Sequence, residues 1–433
     1  MTLTSVDIDH IFQRLREGVV PSRGLDAFAV GVDKPLREFE RLFGLLSQGE
    51  GVAKFLRGDY GCGKTFMAQL AAIEAQRAGF ATSMVVVSDS DLHLYRFQDL
   101  YRRVLAELST DACPKGALTD ILDRWVGAVE EGLIAAGADE DAEDFDERVA
   151  ARLKEDLQVK MGGKAPADFV RTIQTIFELK QAGELDQANA LLSWLSGSQN
   201  VAHSVKKLAQ VKGEIDATMA LTWLHGVLEI VKAAGYRGLV IIVDEVETIL
   251  RSRKDTRHKS LNGLRQIIDG ASGFHGLMWI FTGTVEFFDD RRGVKGLAPL
   301  YDRIRFIEQD GYASLRQPQM RLEPFDGERL RGVALRLRDL YPASDRERFL
   351  RTVTEGFVDR FVDSFLTGFA KKVGVVPREF LREFVTRCDI VEEDPDYPLS
   401  DDFPDTEALV AEVKGDPPPE ESGDDLVPVS DVW

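Results

Sequence analysis

The sequence predicts a mixed α/β protein: a parallel sheet covered on both faces, a large helical insertion, a helical lid and a disordered acidic tail. Short, wholly apolar strand candidates such as Leu239-Val240-Ile241-Ile242-Val243 alternate with helical patterns. Strands without polar alternation are buried on both faces, which is the habit of parallel sheets. Residues 95–235 are rich in helix formers and hold no convincing strand. Beyond Ile390 the chain carries seven of its 16 prolines together with a run of acid, a composition that cannot bury enough apolar surface to order itself.

Taken in order, residues 1–50 read as helix with one break. Ile8, Ile11, Phe12 and Leu15 recur at helical spacing, Val19 to Gly24 reads as a loop, and Leu36, Phe39, Leu42, Phe43 and Leu46 mark a second amphipathic stretch. Ala29 to Lys34 forms a small apolar turn between them. A strand over Val52–Leu56 runs into Arg57 to Thr65, and Phe66, Met67, Leu70 and Ala71 then share a helical face. A second strand, Thr82–Val87, ends in polar Ser88 to Asp91. Within the insertion, 139–147 is acidic. The third strand, Gly238–Val243, stops on Asp244-Glu245; the fourth, Leu277–Thr282, stops on Gly283-Thr284; Met320–Leu322 is a weaker fifth. Residues 326–388 are helical again, with Leu330, Val333, Leu335 and Leu337 early and Phe357, Phe361, Phe365 and Phe369 as a later core stripe. The expected units are an N-terminal helical segment (1–50), a core (51–325) carrying the insertion (about 95–235), a lid (326–390) and the tail (391–433). There is no internal repeat.

At 433 residues the chain has room for two or three modules, and 44% hydrophobic with 29% charged residues is the balance of a globular protein. Its net charge of −19 argues against a nucleic-acid partner only until it is located. Residues 392–433 hold 15 acids and one base, Lys414, so 14 of those charges lie in the tail and the body is nearly balanced. Cys62, Cys113 and Cys388 have no metal-ligand spacing and build no disulfide framework, which suggests a reducing, cytoplasmic setting. The N-terminus lacks a signal-peptide pattern, and the longest aliphatic run is too short to cross a bilayer.

The chemistry concentrates in two places. Gly58-Asp59-Tyr60-Gly61-Cys62-Gly63-Lys64-Thr65, followed by Phe66, fits G-x-x-x-x-G-K-[ST] between a strand and a helix. Glycines let successive N–H groups converge on phosphates, and the helix N-terminus adds positive partial charge. Lys64 is expected at the β- and γ-phosphates of ATP and the Thr65 hydroxyl at Mg2+. Asp244 is expected to hold the metal, and Glu245 to orient and deprotonate the attacking water. Because one strand, Thr82–Val87, intervenes in sequence between the phosphate loop and Asp244, the order favours the additional-strand ATPases.

Other residues have two readings each. Thr282 and Thr284 sense the γ-phosphate or merely end a strand. Arg303 and Arg305 supply an arginine finger to a neighbouring copy or are surface residues. Arg378, in Pro377-Arg378-Glu379-Phe380, touches nucleotide from the lid or makes a helix-start salt bridge. Arg251, Arg253, Lys254, Arg257 and Lys259 put five bases in nine residues; they grip a phosphate backbone, or form a solvated helix face or a subunit contact. For Cys62 the helix terminus and Lys64 would lower the thiol pKa, against the plainer role of a small filler.

This order of parts resembles the AAA+ ATPases, and within them the initiator-like branch, in which a motif such as Val30-Gly31-Val32 lies against the adenine. The phrase Phe55-Leu56-Arg57-Gly58-Asp59-Tyr60-Gly61-Cys62-Gly63-Lys64-Thr65-Phe66 is similar to the BrxD-like P-loop ATP-binding proteins of BREX-type bacteriophage-resistance systems. So are Leu15 to Pro21, Gly235 to Val240 and Val376 to Leu381. The resemblance implies a bacterial cytoplasmic, Mg2+-dependent ATPase that works beside a superfamily 2 helicase and DNA, in antiviral defence. Initiator relatives usually add a winged-helix domain after the lid, where this chain has its acidic tail. The expected function is nucleotide-controlled assembly on DNA or with the helicase; the oligomeric state is left open. The alternatives are an ATP-dependent DNA clamp with little turnover and a nucleotide-stabilised adaptor for a helicase or nuclease.

Overall fold

The computed structural model describes residues 3–87, 92–162, 165–368 and 377–400. Ser88 to Asp91, Phe369, Val376 and the tail beyond Ser400, each named in the expectations above, lie outside them.

Strands β1 (Val52–Arg57), β2 (Ala81–Val86), β3 (Leu108–Ser109), β4 (Leu239–Asp244), β5 (Leu277–Gly283) and β6 (Gln319–Arg321) form one sheet. The order is β3-β2-β4-β5-β1-β6, parallel except for β3, which pairs antiparallel with β2. The expected parallel sheet is therefore present, with two corrections. Arg57 and Asp244 belong to their strands, because the ladder pairs backbones whatever the side chain: Arg57 sits opposite Gly283 and Arg321, and Asp244 opposite Val86. The insertion also contributes a strand, β3, too short to show any period. In space, moreover, the strand separating β1 from β4 is β5.

The apolar runs sort themselves by the period of two. Leu239, Ile241, Val243, Leu277, Trp279 and Phe281 face one side. Val240, Ile242, Met278 and Ile280 face the other, where they meet α2 (Asp33–Ser47) and α3 (Lys64–Arg77) through Phe39, Phe43, Met67 and Ala71. The first side is covered by α4 (Phe97–Ala106), α10 (Ala217–Ala233) and α11 (Lys254–Ala271), with α5 (Leu118–Ala135), α6 (Phe145–Lys160), α7 (Ala167–Gln181), α8 (Leu185–Leu195) and α9 (His203–Leu208) built outward. Trp223 anchors these, meeting Phe169 and Trp194 edge-to-face, each at 5.3 Å between ring centroids.

The N-terminal helix α1 (Ser5–Arg16) starts at a capping box made by Thr4 and Asp7. Its buried Ile11, Phe12 and Leu15 join the C-terminal helices rather than the sheet. The C-terminal group is α14 (Gly327–Leu340), α15 (Arg346–Thr352), α16 (Glu355–Gly368) and α17 (Pro377–Glu393), with α12 (Val285–Asp289) and α13 (Ala298–Ile304) preceding β6. Phe357, Phe361 and Phe365 are buried there, as their spacing predicts. Arg16 holds Asp389 through two hydrogen bonds of 2.7 Å, and Arg336 donates to the Ala29 carbonyl, so the N-terminal segment is tied to the C-terminal helices.

Candidate functional site

β1 delivers the chain into the phosphate loop. Gly63 has φ +84° and caps α3, a left-handed conformation that costs glycine little. At Gly58 a Cβ would stand 2.4 Å from the Cys62 sulfur and 3.2 Å from the Leu322 carbonyl oxygen, so only glycine fits the turn. The loop thus leaves the first N–H groups of α3 facing a cleft, the arrangement that attracts anions. Lys64, first in that helix, is buried and folded back: its ammonium donates to the Gly58 and Asp59 carbonyls at 3.1 and 3.2 Å and lies 5.2 Å from the Tyr60 ring centroid.

The parallel register brings the ends of β4 and β5 beside this loop. The Thr65 hydroxyl donates to Asp244 Oδ2 at 2.9 Å, and the Thr282 hydroxyl donates to the other carboxylate oxygen. The Glu245 N–H in turn donates to Thr282 Oγ1 at 3.0 Å. Glu245 has φ +60°, a left-handed backbone that a glutamate holds only where its surroundings impose it. Its carboxyl lines the cleft. Burial, with Asp244 beside it, pushes its pKa above the usual carboxylate range, against the pull of Lys64, Arg251 and Arg378.

The cleft encloses about 470 Å³. Tyr60 to Phe66 form its floor, and Val19 to Pro21 and Phe28 to Val32 one wall; Phe325, Arg329, Arg378 and Leu381 close it from the C-terminal helices. Gly31 lies in that wall with φ +73°, and a Cβ there would stand 3.0 Å from the Arg329 Nε. Gly58 and Asp59 sit behind, holding Lys64. Arg378 is exposed on α17 and near enough to act on Glu245.

Several expected residues lie elsewhere. Thr282 is fully buried and committed to Asp244 and Glu245, and Thr284 caps α12 by accepting from the Phe287 N–H; neither lines the cleft. Arg303 donates to Asp269 and to the Pro299 carbonyl, and Arg305 is exposed; both are outside this chain's own cleft. The five bases of the basic run differ in their surroundings. Arg251 is near enough to act on the Tyr60 hydroxyl, Arg257 donates to the Leu250 and Ser252 carbonyls, and Lys259 lies 5.9 Å from the Tyr95 ring centroid. Arg251, Arg253, Lys254 and Lys259 are exposed and Arg257 half-buried, with Arg253 and Lys254 at the start of α11. The expected lowering of the Cys62 thiol pKa is overturned: burial raises it and outweighs Lys64, which leaves the filler role.

Two contributors escaped the sequence reading. Glu247 is buried, lines the cleft and places Oε1 3.8 Å from the Lys64 ammonium; its only signal is an acid set in the apolar run Val246 to Leu250. Arg329 carries no local signal, since its place beside Gly31 depends on how α14 docks.

The donor set suits magnesium. Asp244 and Thr65 offer a carboxylate and a hydroxyl 2.9 Å apart, and Mg2+ commonly takes one or two protein oxygens, leaving its other positions to water and phosphate. Among the described residues no group of three or more His, Cys, Asp or Glu is placed to hold a metal ion.

A glycine-bound phosphate loop, an acid on the strand two places away and the order β2-β4-β5-β1-β6 define a P-loop nucleotide-binding protein of the AAA+ type. The chain belongs to the family described as BREX system ATP-binding protein BrxC/D, whose model matches residues 4–407; it is a nucleotide-binding protein of a phage-defence system. Among solved structures it is similar to a chain in "Structure of Drosophila ORC bound to DNA", at 12% identity and a TM-score of 0.37, covering 93% of this chain and 65% of that one, just under two thirds. It is also similar to the Aeropyrum pernix ORC2 protein in ADPNP–ADP complexes, at 10% identity and a TM-score of 0.35, covering 86% of this chain and 72% of that one. No curated protein matches it. Among the described residues no helix is long and apolar enough to cross a membrane.

Proposed function

We propose that the chain is a magnesium-dependent ATPase whose nucleotide state controls its assembly on DNA or with a partner helicase. The observation that carries this reading is the Thr65–Asp244 hydrogen bond of 2.9 Å beneath a cleft that also presents Lys64 and Glu245. Phosphates bind against the N–H groups of the loop and the Lys64 ammonium. Asp244 and Thr65 would hold Mg2+, which neutralises developing phosphate charge when bound. Thr282 orients Asp244 and, through the Glu245 N–H, aims the Glu245 carboxylate, which accepts a proton from the attacking water. Arg378 reports the phosphate charge to α17, and Arg303 or Arg305 would serve a neighbouring copy's cleft. Arg253 and Lys254 are exposed cations offered to a phosphate backbone.

The test is ATP hydrolysis by the full chain with and without duplex DNA, beside Glu245→Gln and with light scattering in each nucleotide state. The expected result is turnover that depends on magnesium, rises with DNA and falls about 100-fold in Glu245→Gln. Equal turnover in Glu245→Gln removes the base assignment. Tight binding without turnover in either condition supports the clamp or adaptor instead.

A further inference from the structure

Among the charged groups of the cleft, one is spent on another. A lysine ammonium has three donors, and those of Lys64 face the Gly58 carbonyl, the Asp59 carbonyl and, at 3.8 Å, the Glu247 carboxylate. Glu247 is anchored less completely than Lys64. Its Oε2 is buried and has no hydrogen-bond partner among the described residues, and burial pushes its pKa up while Lys64 pulls it down. It stands on the 3-10 turn Val246–Arg251, whose first residues are all buried, and it lines the cleft.

We propose that Glu247 is the counter-ion of Lys64 within the protein, and that an incoming triphosphate competes with it for the ammonium. This rests on the reading of the cleft as a nucleotide site. Two anions in one weakly screened cleft repel each other and share a single ammonium. Glu247 therefore lowers affinity for phosphate in particular and keeps Lys64 from holding phosphate more tightly than exchange requires. It acts through Lys64 and is a positioning residue. It differs from Glu245, whose removal alters turnover, because its removal alters binding even without metal.

The experiment is equilibrium binding of ATP and of adenosine to the full chain by calorimetry, in magnesium and again in EDTA. It compares wild type, Glu247→Gln, Glu247→Asp, Lys64→Ala and the Lys64→Ala/Glu247→Gln double variant. Glu247→Gln is expected to bind ATP about three- to tenfold more tightly in both buffers, with adenosine affinity unchanged. The gain disappears in the Lys64→Ala background. Glu247→Asp, which keeps the charge but withdraws it from Lys64, gives a smaller gain and serves if the glutamine variant fails to fold. Unchanged or weaker ATP binding by variants that unfold at the wild-type temperature overturns the proposal, as does a gain confined to magnesium. Wild type that binds no ATP, or Lys64→Ala that binds it equally well, overturns the nucleotide reading itself and this inference with it.

Discussion

Around the phosphate loop the chain buries Lys64, Asp244, Glu247 and Thr282, whereas the helical insertion buries Trp125, Trp194 and Trp223 and keeps its charges outside. The exception in the insertion, Glu229, is neutralised within its own helix by Lys232 at 2.6 Å. Burying a polar group costs free energy unless it is paired. The insertion limits that cost by using apolar side chains and large rings, leaving Gln98 Oε1 and Trp125 Nε1 buried without a partner among the described residues. The cleft accepts it, offsets most of it with the Thr65–Asp244–Thr282 chain of hydrogen bonds, and leaves one buried oxygen, Glu247 Oε2, unmatched. One region is built to be stable and the other to be occupied.

The comparison can be broken by substitution. Trp223→Ala should cost about 3–5 kcal/mol in chemical unfolding while leaving ATP affinity within about twofold at temperatures where the variant is folded. A large loss of affinity would mean that the insertion shapes the cleft. Beneath the cleft, Lys54 is buried against Glu38 at 3.1 Å and donates to the Leu315 and Gln317 carbonyls. Lys54→Met should cost about 3 kcal/mol, because it strands buried acceptors.

That pair also sets an acid limit. Burial alone would raise the Glu38 pKa, but Arg41 and Lys54 outweigh it and hold the carboxyl below its ordinary value. The stabilisation it adds is therefore complete at neutral pH and lost as the pH falls below the usual carboxylate range. Unfolding midpoints measured against pH should converge for wild type and Lys54→Met in acid.

Smaller effects sharpen the contrast. Lys64→Ala should weaken ATP binding at least about 100-fold, some 2.7 kcal/mol, measured at temperatures where the variant is folded. Thr282→Val removes two hydrogen bonds and should cost about 1–2 kcal/mol; it should slow turnover more than it weakens binding, since its partners are Asp244 and the Glu245 N–H. The least effect belongs to Arg253→Glu with Lys254→Glu, which should lower duplex affinity several-fold and flatten its salt dependence by about two counter-ions. An unchanged salt slope would exclude these two residues from a DNA contact.

Much of this was legible before any coordinates. The loop motif was readable because its glycines answer to local backbone geometry, and the apolar runs because a sheet buried on both faces needs them. The short β3 was not legible, since two residues carry no period. The basic run could be read only in part, because a count of charges along a chain does not say which side chain is spent locally: Arg257 donates to backbone carbonyls, while Arg251, Arg253, Lys254 and Lys259 are exposed.

Local pattern alone determined the strands β1, β2, β4 and β5, the phosphate loop, the Asp244-Glu245 pair and the phenylalanine stripe of the C-terminal helices. Each depends on a residue and its near neighbours in sequence. Only tertiary structure decided that β5 lies between β1 and β4, that α1 packs with the C-terminal helices, that Thr282 serves Asp244, and that Glu247 faces Lys64. Those contacts join residues far apart in the chain or turned by a bend such as the left-handed backbone at Glu245, and it is the packing of the whole sheet that brings them within a few ångströms.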